Sequence, residues 1–146
     1  MKVSIAGRST VVGTSARAVA SVFAIASKGF RLREVGVFNT TTTAVAVALV
    51  RFTNSTGVGA GLTEVVWDGG VDQLAPSATG FAGHTADGAV GSAIRQATLG
   101  AAAGAGVIWT FPDSGLIVIP GTANGIGIIC PTGTGQILDY YYDWEE

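Results

Sequence analysis

Apolar residues recur at every second position along most of this chain. In residues 19–25, Val19, Phe23 and Ile25 fall on one side. Residues 32–38 alternate less cleanly, and residues 44–52 set Val45, Val47 and Leu49 against Ala44, Ala46 and Ala48. A period of two is the mark of a β-strand, because successive side chains leave opposite faces of the pleat. Large residues on one side and alanines on the other predict a strand packed between two surfaces, one roomy and one close. The β-branched density here and the Thr40–Thr43 lead-in argue against a helix. Further strands are predicted at 62–67, 93–98, 106–112, 115–119, 125–130 and 136–144.

Turn signals separate these runs: Asp68-Gly69-Gly70, Asp87-Gly88, Pro112-Asp113-Ser114-Gly115, Pro120-Gly121 and Thr132-Gly133-Thr134-Gly135. The Pro112–Gly115 turn lies between two apolar runs and predicts a hairpin over 106–119. Residues 69–92 are rich in Gly, Ala, Ser and Asp and read as a long surface loop, with a helical turn near Ala75–Thr79. Residues 1–17 read as an extended N-terminal arm. Eight or nine short strands and no long amphipathic helix predict an all-β fold. The expected architecture is a single-domain antiparallel β-sandwich over 1–146, jelly-roll-like in its winding.

Composition sharpens this picture. Only 12% of the 146 residues are charged, about half the usual share. A chain with few charges is best accommodated as a subunit that hides part of its surface in an oligomer. The net charge of −2 offers no bulk attraction for nucleic acid. Its distribution is uneven. Residues 1–60 carry seven cations against Glu34, a net of +6, and residues 61–146 carry Arg95 against nine acids, a net of −8. Either the fold brings the halves together and cancels them, or each half dominates one face and meets the other on a neighbouring subunit; the first is the simpler expectation.

Two segments imitate membrane signals. Residues 18–26 end in Ala24-Ile25-Ala26, which resembles a signal-peptidase site, but the stretch before them is long, polar and glycine-containing, so a strand is the better reading. Residues 114–138 lack charge, yet Pro120, Pro131 and several Gly and Thr break them into strand-sized pieces.

Catalytic and metal chemistry find little footing. His84 and Cys130 are the sole residues of their kinds, too few for a zinc site. Cys130 reads as a small buried hydrophobe, and His84 as an exposed loop residue or a hydrogen-bonding strand residue. There is no G-x-S-x-G elbow and no P-loop. Calcium around Asp68, Asp72 and Asp87 would lack the dense alternation of oxygen ligands that tight loops use. Neither an enzyme nor a cofactor is expected. The C-terminal stretch is the richest in binding potential. If it alternates, Tyr140, Tyr142 and Trp144 share one face and Asp139, Tyr141 and Asp143 the other. The first set is either core or a partner-binding face, and the same aromatics could stack sugars in a carbohydrate-binding module.

The runs Leu32–Thr40, Gly100–Phe111 and Pro120–Gly125, with the terminal Gln136–Asp139 and Trp144-Glu145, resemble small virion proteins of tailed bacteriophages from about residue 18 onward. That resemblance implies a jelly-roll subunit on the particle, made in the host cytoplasm, and above all a head decoration (cement) protein. It implies the major capsid protein as partner and a homotrimer seated over the joints between capsid subunits, with a tail or fibre component as the alternative. It brings no catalytic residues. Neither nucleic acid nor membrane is expected as a partner. On this reading Arg31 and Arg33 would face an acidic capsid surface, with Tyr140, Tyr142 and Trp144 as further interface candidates.

Overall fold

A computed structural model of the chain describes residues 1–67, 69, 75–132 and 134–146. These form eleven strands and no helix: β1 (Lys2–Arg8), β2 (Ala20–Phe23), β3 (Phe30–Asn39), β4 (Val45–Phe52), β5 (Val65–Val66), β6 (Thr79–Ala82), β7 (Val90–Leu99), β8 (Gly106–Thr110), β9 (Leu116–Val118), β10 (Gly125–Ile129) and β11 (Leu138–Glu145). One sheet runs β5-β1-β11-β3-β8, with β9 also on β3, and the other runs β6-β2-β10-β4-β7. Every pairing is antiparallel. Without the short β5, β6 and β9, two four-stranded sheets remain, β1-β11-β3-β8 and β2-β10-β4-β7. The chain changes sheet at every connection between these eight except β4 to β7. That winding is a jelly roll, as the strand periodicity predicts.

The main core lies between the sheets. It is built from Val3 and Ile5 of β1, Val35 and Val37 of β3, Val45, Val47 and Leu49 of β4, Ile126 and Ile128 of β10, and Leu138, Tyr140, Tyr142 and Trp144 of β11. A second, smaller cluster covers the outer face of the other sheet: Ala18, Phe23, Ala48, Val50, Phe52 and Ile129, with Val58, Phe81 and Val90 against them. The two-sided reading of β4 is therefore correct: Val45, Val47 and Leu49 point to the main core, and Ala48, Val50 and Phe52 to the second. Central β10 is buried on both faces, and a Cβ on its Gly125 would press into the Phe23 ring. The glycine is what lets that ring lie flat on the sheet.

The structure corrects several expectations. Residues 2–8 are not a free arm; they pair along their whole length with β11, from Lys2↔Glu145 to Arg8↔Asp139. Residues 79–82 are strand β6 on β2, and the strand predicted at 93–98 is β7, which begins already at Val90 and pairs with β4, so only part of 69–92 is loop. No helical turn forms at 75–79. The predicted hairpin over 106–119 is absent. Its turn exists, with Gly115 N–H donating to Pro112 C=O at 3.2 Å and Asp113 and Gly115 both at positive φ, but it does not reverse the chain. Strands β8 and β9 lie end to end on the same edge of β3, pairing Glu34–Phe38 and Phe30–Leu32 respectively. Phe23 and Val19 do not share a side either: Val19 precedes β2 and joins the main core, while Phe23 faces outward.

The halves of opposite charge are interleaved. All four salt bridges among the described residues join a base from the first sixty residues to an acid beyond them: Arg8–Asp139 at 2.7 Å, Arg17–Asp87 at 2.7 Å, Lys28–Glu146 at 3.5 Å and Arg33–Glu145 at 2.6 Å. Most of the sequence asymmetry therefore cancels within the subunit. No helix among the described residues is long and apolar enough to cross a membrane.

Candidate functional site

The aromatic side chains expected at an interface are inside the protein. Tyr140, Tyr142 and Trp144 are all buried. Tyr142 Oη donates across the sandwich to Ala20 C=O at 2.8 Å, and Trp144 lies 6.1 Å from Phe30, centroid to centroid. Neither a partner nor a sugar can reach them. β11 alternates as predicted, but the face carrying these three is the core face, because it turns toward the opposite sheet. Burial is where these rings stabilise the fold, since aromatics contribute most when fully desolvated.

The outer face of β11 carries Asp139, Tyr141, Asp143 and Glu145, and its neighbours there are set by register. Tyr141 lies opposite Gly36, where a Cβ would overlap its ring. It stacks on Phe38 at 6.4 Å, and its hydroxyl donates to Glu34 Oε1 at 2.6 Å. Asp143 stands opposite Glu34; burial and the Glu34 charge push its carboxyl up to about 6.

Just beyond, toward β1 and β5, a groove of about 300 Å³ is lined by Lys2, Val3, Arg33, Glu34, Trp67, Asp143, Trp144 and Glu145. Trp67 is 55% exposed. It is held in place by its backbone N–H, which donates to Lys2 C=O at 3.0 Å, and Lys2 Nζ lies 6.0 Å from its ring centre. In the sequence, Trp67 closes the strand predicted at 62–67. The signal that marks it as a surface ring is the absence of apolar alternation after it, since Asp68-Gly69-Gly70 follows.

Of the two predicted contact arginines, Arg31 and Arg33 part company. Arg33 Nη2 donates to Glu145 Oε2 at 2.6 Å, and Nη1 donates to Asp113 C=O, so this guanidinium is engaged within the subunit. Arg31 is exposed and lies opposite Ile117 of β9. Ile117 and Ile119 are 47% and 62% exposed. They form an apolar ridge between two depressions, one of about 640 Å³ bordered by Arg31 and Phe30 and one bordered by Arg51 and Asn124. Arg51 Nη2 donates to Ile117 C=O at 2.9 Å, so an arginine flanks the ridge on either side. Strand β7 is a second uncovered feature. It is the outermost strand of its sheet, ten residues long, largely exposed, with Arg95 as its sole charge. A long edge with unpaired backbone groups is a ready template for another chain.

His84 is neither exposed nor in a strand. It is buried against two rings of the second cluster, 4.8 Å from the Phe52 ring centre and 6.3 Å from that of Phe23. Its Nε2 and Ser21 Oγ are 2.8 Å apart, while Nδ1 has no partner among the described residues. A serine and histidine at this distance have the geometry of a nucleophile and its base, but no acid among the described residues orients Nδ1 and both side chains are sealed from solvent. Burial lowers the imidazole to about 4. The unfolded ring takes up a proton near 6.5, whereas the folded one resists until about 4, so stability is lost as pH falls through that window. The loss is expected to reach about 3 kcal/mol near pH 4. Urea unfolding of wild type and His84→Gln at pH 7 and 4.5 isolates it: the gap between the two proteins should shift by about 2–3 kcal/mol, and an unchanged gap would refute the assignment.

Cys130 is buried, as expected, and burial raises its thiol, which keeps it unreactive. Asn39 is buried and its side-chain amide donates to Thr43 C=O at 2.7 Å and Gly100 C=O at 3.0 Å. Asp87 is paired with Arg17, and Asp68 and Asp72, the other carboxylates considered for calcium, lie outside the described residues. Searches with the chain find no matching protein-family model, no matching curated protein and no matching solved structure.

Proposed function

We propose that this chain is a non-enzymatic structural subunit of a virion, a decoration protein that binds the outer surface of a capsid lattice as a homotrimer and stabilises the head. The observation that carries the reading is the Ile117–Ile119 ridge flanked by Arg31 and Arg51. An exposed apolar strip with a cation on each side suits a flat protein surface bearing carboxylates, where apolar contact supplies affinity and the charges supply register. The uncovered β7 edge supports self-association, since copies that mask each other's edges remove a route to aggregation. The low charge content fits a subunit with two such surfaces. Arg31 therefore remains a contact residue in this proposal, whereas Arg33 serves the subunit's own fold.

The test is the copy number of the chain relative to the major capsid protein in purified particles, by quantitative mass spectrometry. A simple fraction of one is expected; a few copies per particle would move the protein to a tail or fibre, and its absence would overturn the proposal. Arg31→Glu with Ile119→Asp should lower occupancy at least about tenfold, given about 1–2 kcal/mol per lost contact, and full occupancy would overturn the assignment of this face.

A further inference from the structure

We infer that the groove beside Trp67 is a binding site for a neutral saccharide ring. This inference stands apart from the proposal of virion decoration and uses a different surface. An indole face exposed to water, rigidly attached and bordered by polar groups, matches the two needs of a sugar. The ring presents an apolar face of C–H groups that stacks on an aromatic, and a rim of hydroxyls that both donate and accept hydrogen bonds.

The groove supplies both halves. Trp67 is anchored to β1 through its backbone hydrogen bond to Lys2, so little order is lost when a ligand stacks on it. Lys2 and Arg33 are donors on the groove wall, and Glu34, Asp143 and Glu145 are acceptors. Asp143 has accepting capacity to spare: it makes no side-chain hydrogen bond among the described residues, although it is half-buried. Mixed donors and acceptors around an aromatic face favour an uncharged polyhydroxyl compound over an anion, which three carboxylates would repel. A free cation would meet Lys2 already over the ring. The volume of about 300 Å³ stands at the lower end of small-molecule sites, which fits one or two sugar rings.

The probe is a printed array of neutral and acidic oligosaccharides, followed by titration of the retained sugars with tryptophan fluorescence under acrylamide. Trp109 and Trp144 are buried, so quenching reports chiefly on Trp67. The expected result is retention on neutral glycans, protection of Trp67 from quencher, and binding about tenfold weaker or worse in Trp67→Ala. That side chain is exposed, so its removal should leave the melting temperature unchanged. Asp143→Asn tests the acceptor wall and should also weaken binding without loss of fold. Arg31→Glu, on the Ile117–Ile119 ridge, should bind sugars as wild type does, which separates failure of this site from failure of the capsid contact. No retained neutral glycan, or full binding by Trp67→Ala, would overturn the inference.

Discussion

Trp144→Ala is expected to destabilise the fold by about 3–5 kcal/mol, the cost of truncating a large aromatic in a packed core. Trp144 is 1% exposed and packs on Phe30. Its Nε1 donates to Glu146 Oε1 at 2.9 Å, so the substitution both opens a cavity and removes a donor from a buried carboxylate. Urea unfolding with intrinsic fluorescence measures the change. A surface anchor would behave differently: stability would barely move, and only binding to a partner would suffer. A loss under about 1 kcal/mol would therefore return Trp144 to the role of interface residue.

The second large effect concerns Glu146. Its side chain is wholly buried and holds together four groups besides Lys28: Ser77 N at 2.8 Å, Ala78 N at 2.9 Å, the Ser77 hydroxyl and Trp144 Nε1. Burial alone would raise this carboxyl, but the hydrogen bonds from Ser77, Trp144 and Ala78 outweigh it and hold the group below its ordinary range. Glu146→Ala leaves those donors without an acceptor, at roughly 1–3 kcal/mol for each that water cannot reach. A total loss of about 3 kcal/mol is expected, with Glu146→Gln losing about half, because an amide keeps one accepting oxygen. A depressed carboxyl contributes stability above the unfolded pKa and loses it as pH falls through the folded one. Acid therefore weakens the protein at Glu146 as well as at His84. Equal stability of wild type and Glu146→Ala at pH 7 would show that the carboxylate is not the tie described here.

Much of the fold was legible in the chain, because period-two alternation depends on local geometry alone. It located β3, β4, β10 and β11 and assigned the faces of β4 and β11 correctly. What it could not supply was which face meets protein and which meets water. Tyr140, Tyr142 and Trp144 look equally suited to a core or an interface until β2 and β3 are placed around them. Strand β1 was hidden by its cations: Val3 and Ile5 do alternate, but Lys2 and Arg8 resemble a mobile arm until Glu145 and Asp139 arrive from the far end of the chain. Strand β6 was hidden by its brevity and by Gly80, whose missing side chain makes room for Ile5. The Pro112–Gly115 turn misled for a different reason. Turn chemistry describes four residues, whereas the direction in which the chain leaves depends on β3, which offers one edge long enough for both β8 and β9.

The groove at Trp67 escaped notice because it is assembled from β1, β3, β5 and β11, none of which carries a motif. The attachment ridge was half legible. Arg31 and Arg33 differ by two positions and look equivalent in sequence; the register sets Arg31 opposite Glu145 and skips Arg33 at the irregularity between Asp143 and Trp144, yet it is the Arg33 side chain that reaches Glu145.

The pairing of β1 with β11 also governs how the protein responds to force. Met1 N donates to Glu146 C=O at 2.8 Å and Glu146 N donates to Met1 C=O at 3.0 Å, so tension applied between these two residues enters the ladder at one end. The strands are antiparallel, and such a load peels them apart one pair at a time instead of shearing all the pairs together. A tether at positions 1 and 146 should thus open the sandwich at low force, whereas one that pulls along the strands from opposite ends of the sheet would meet the whole ladder at once.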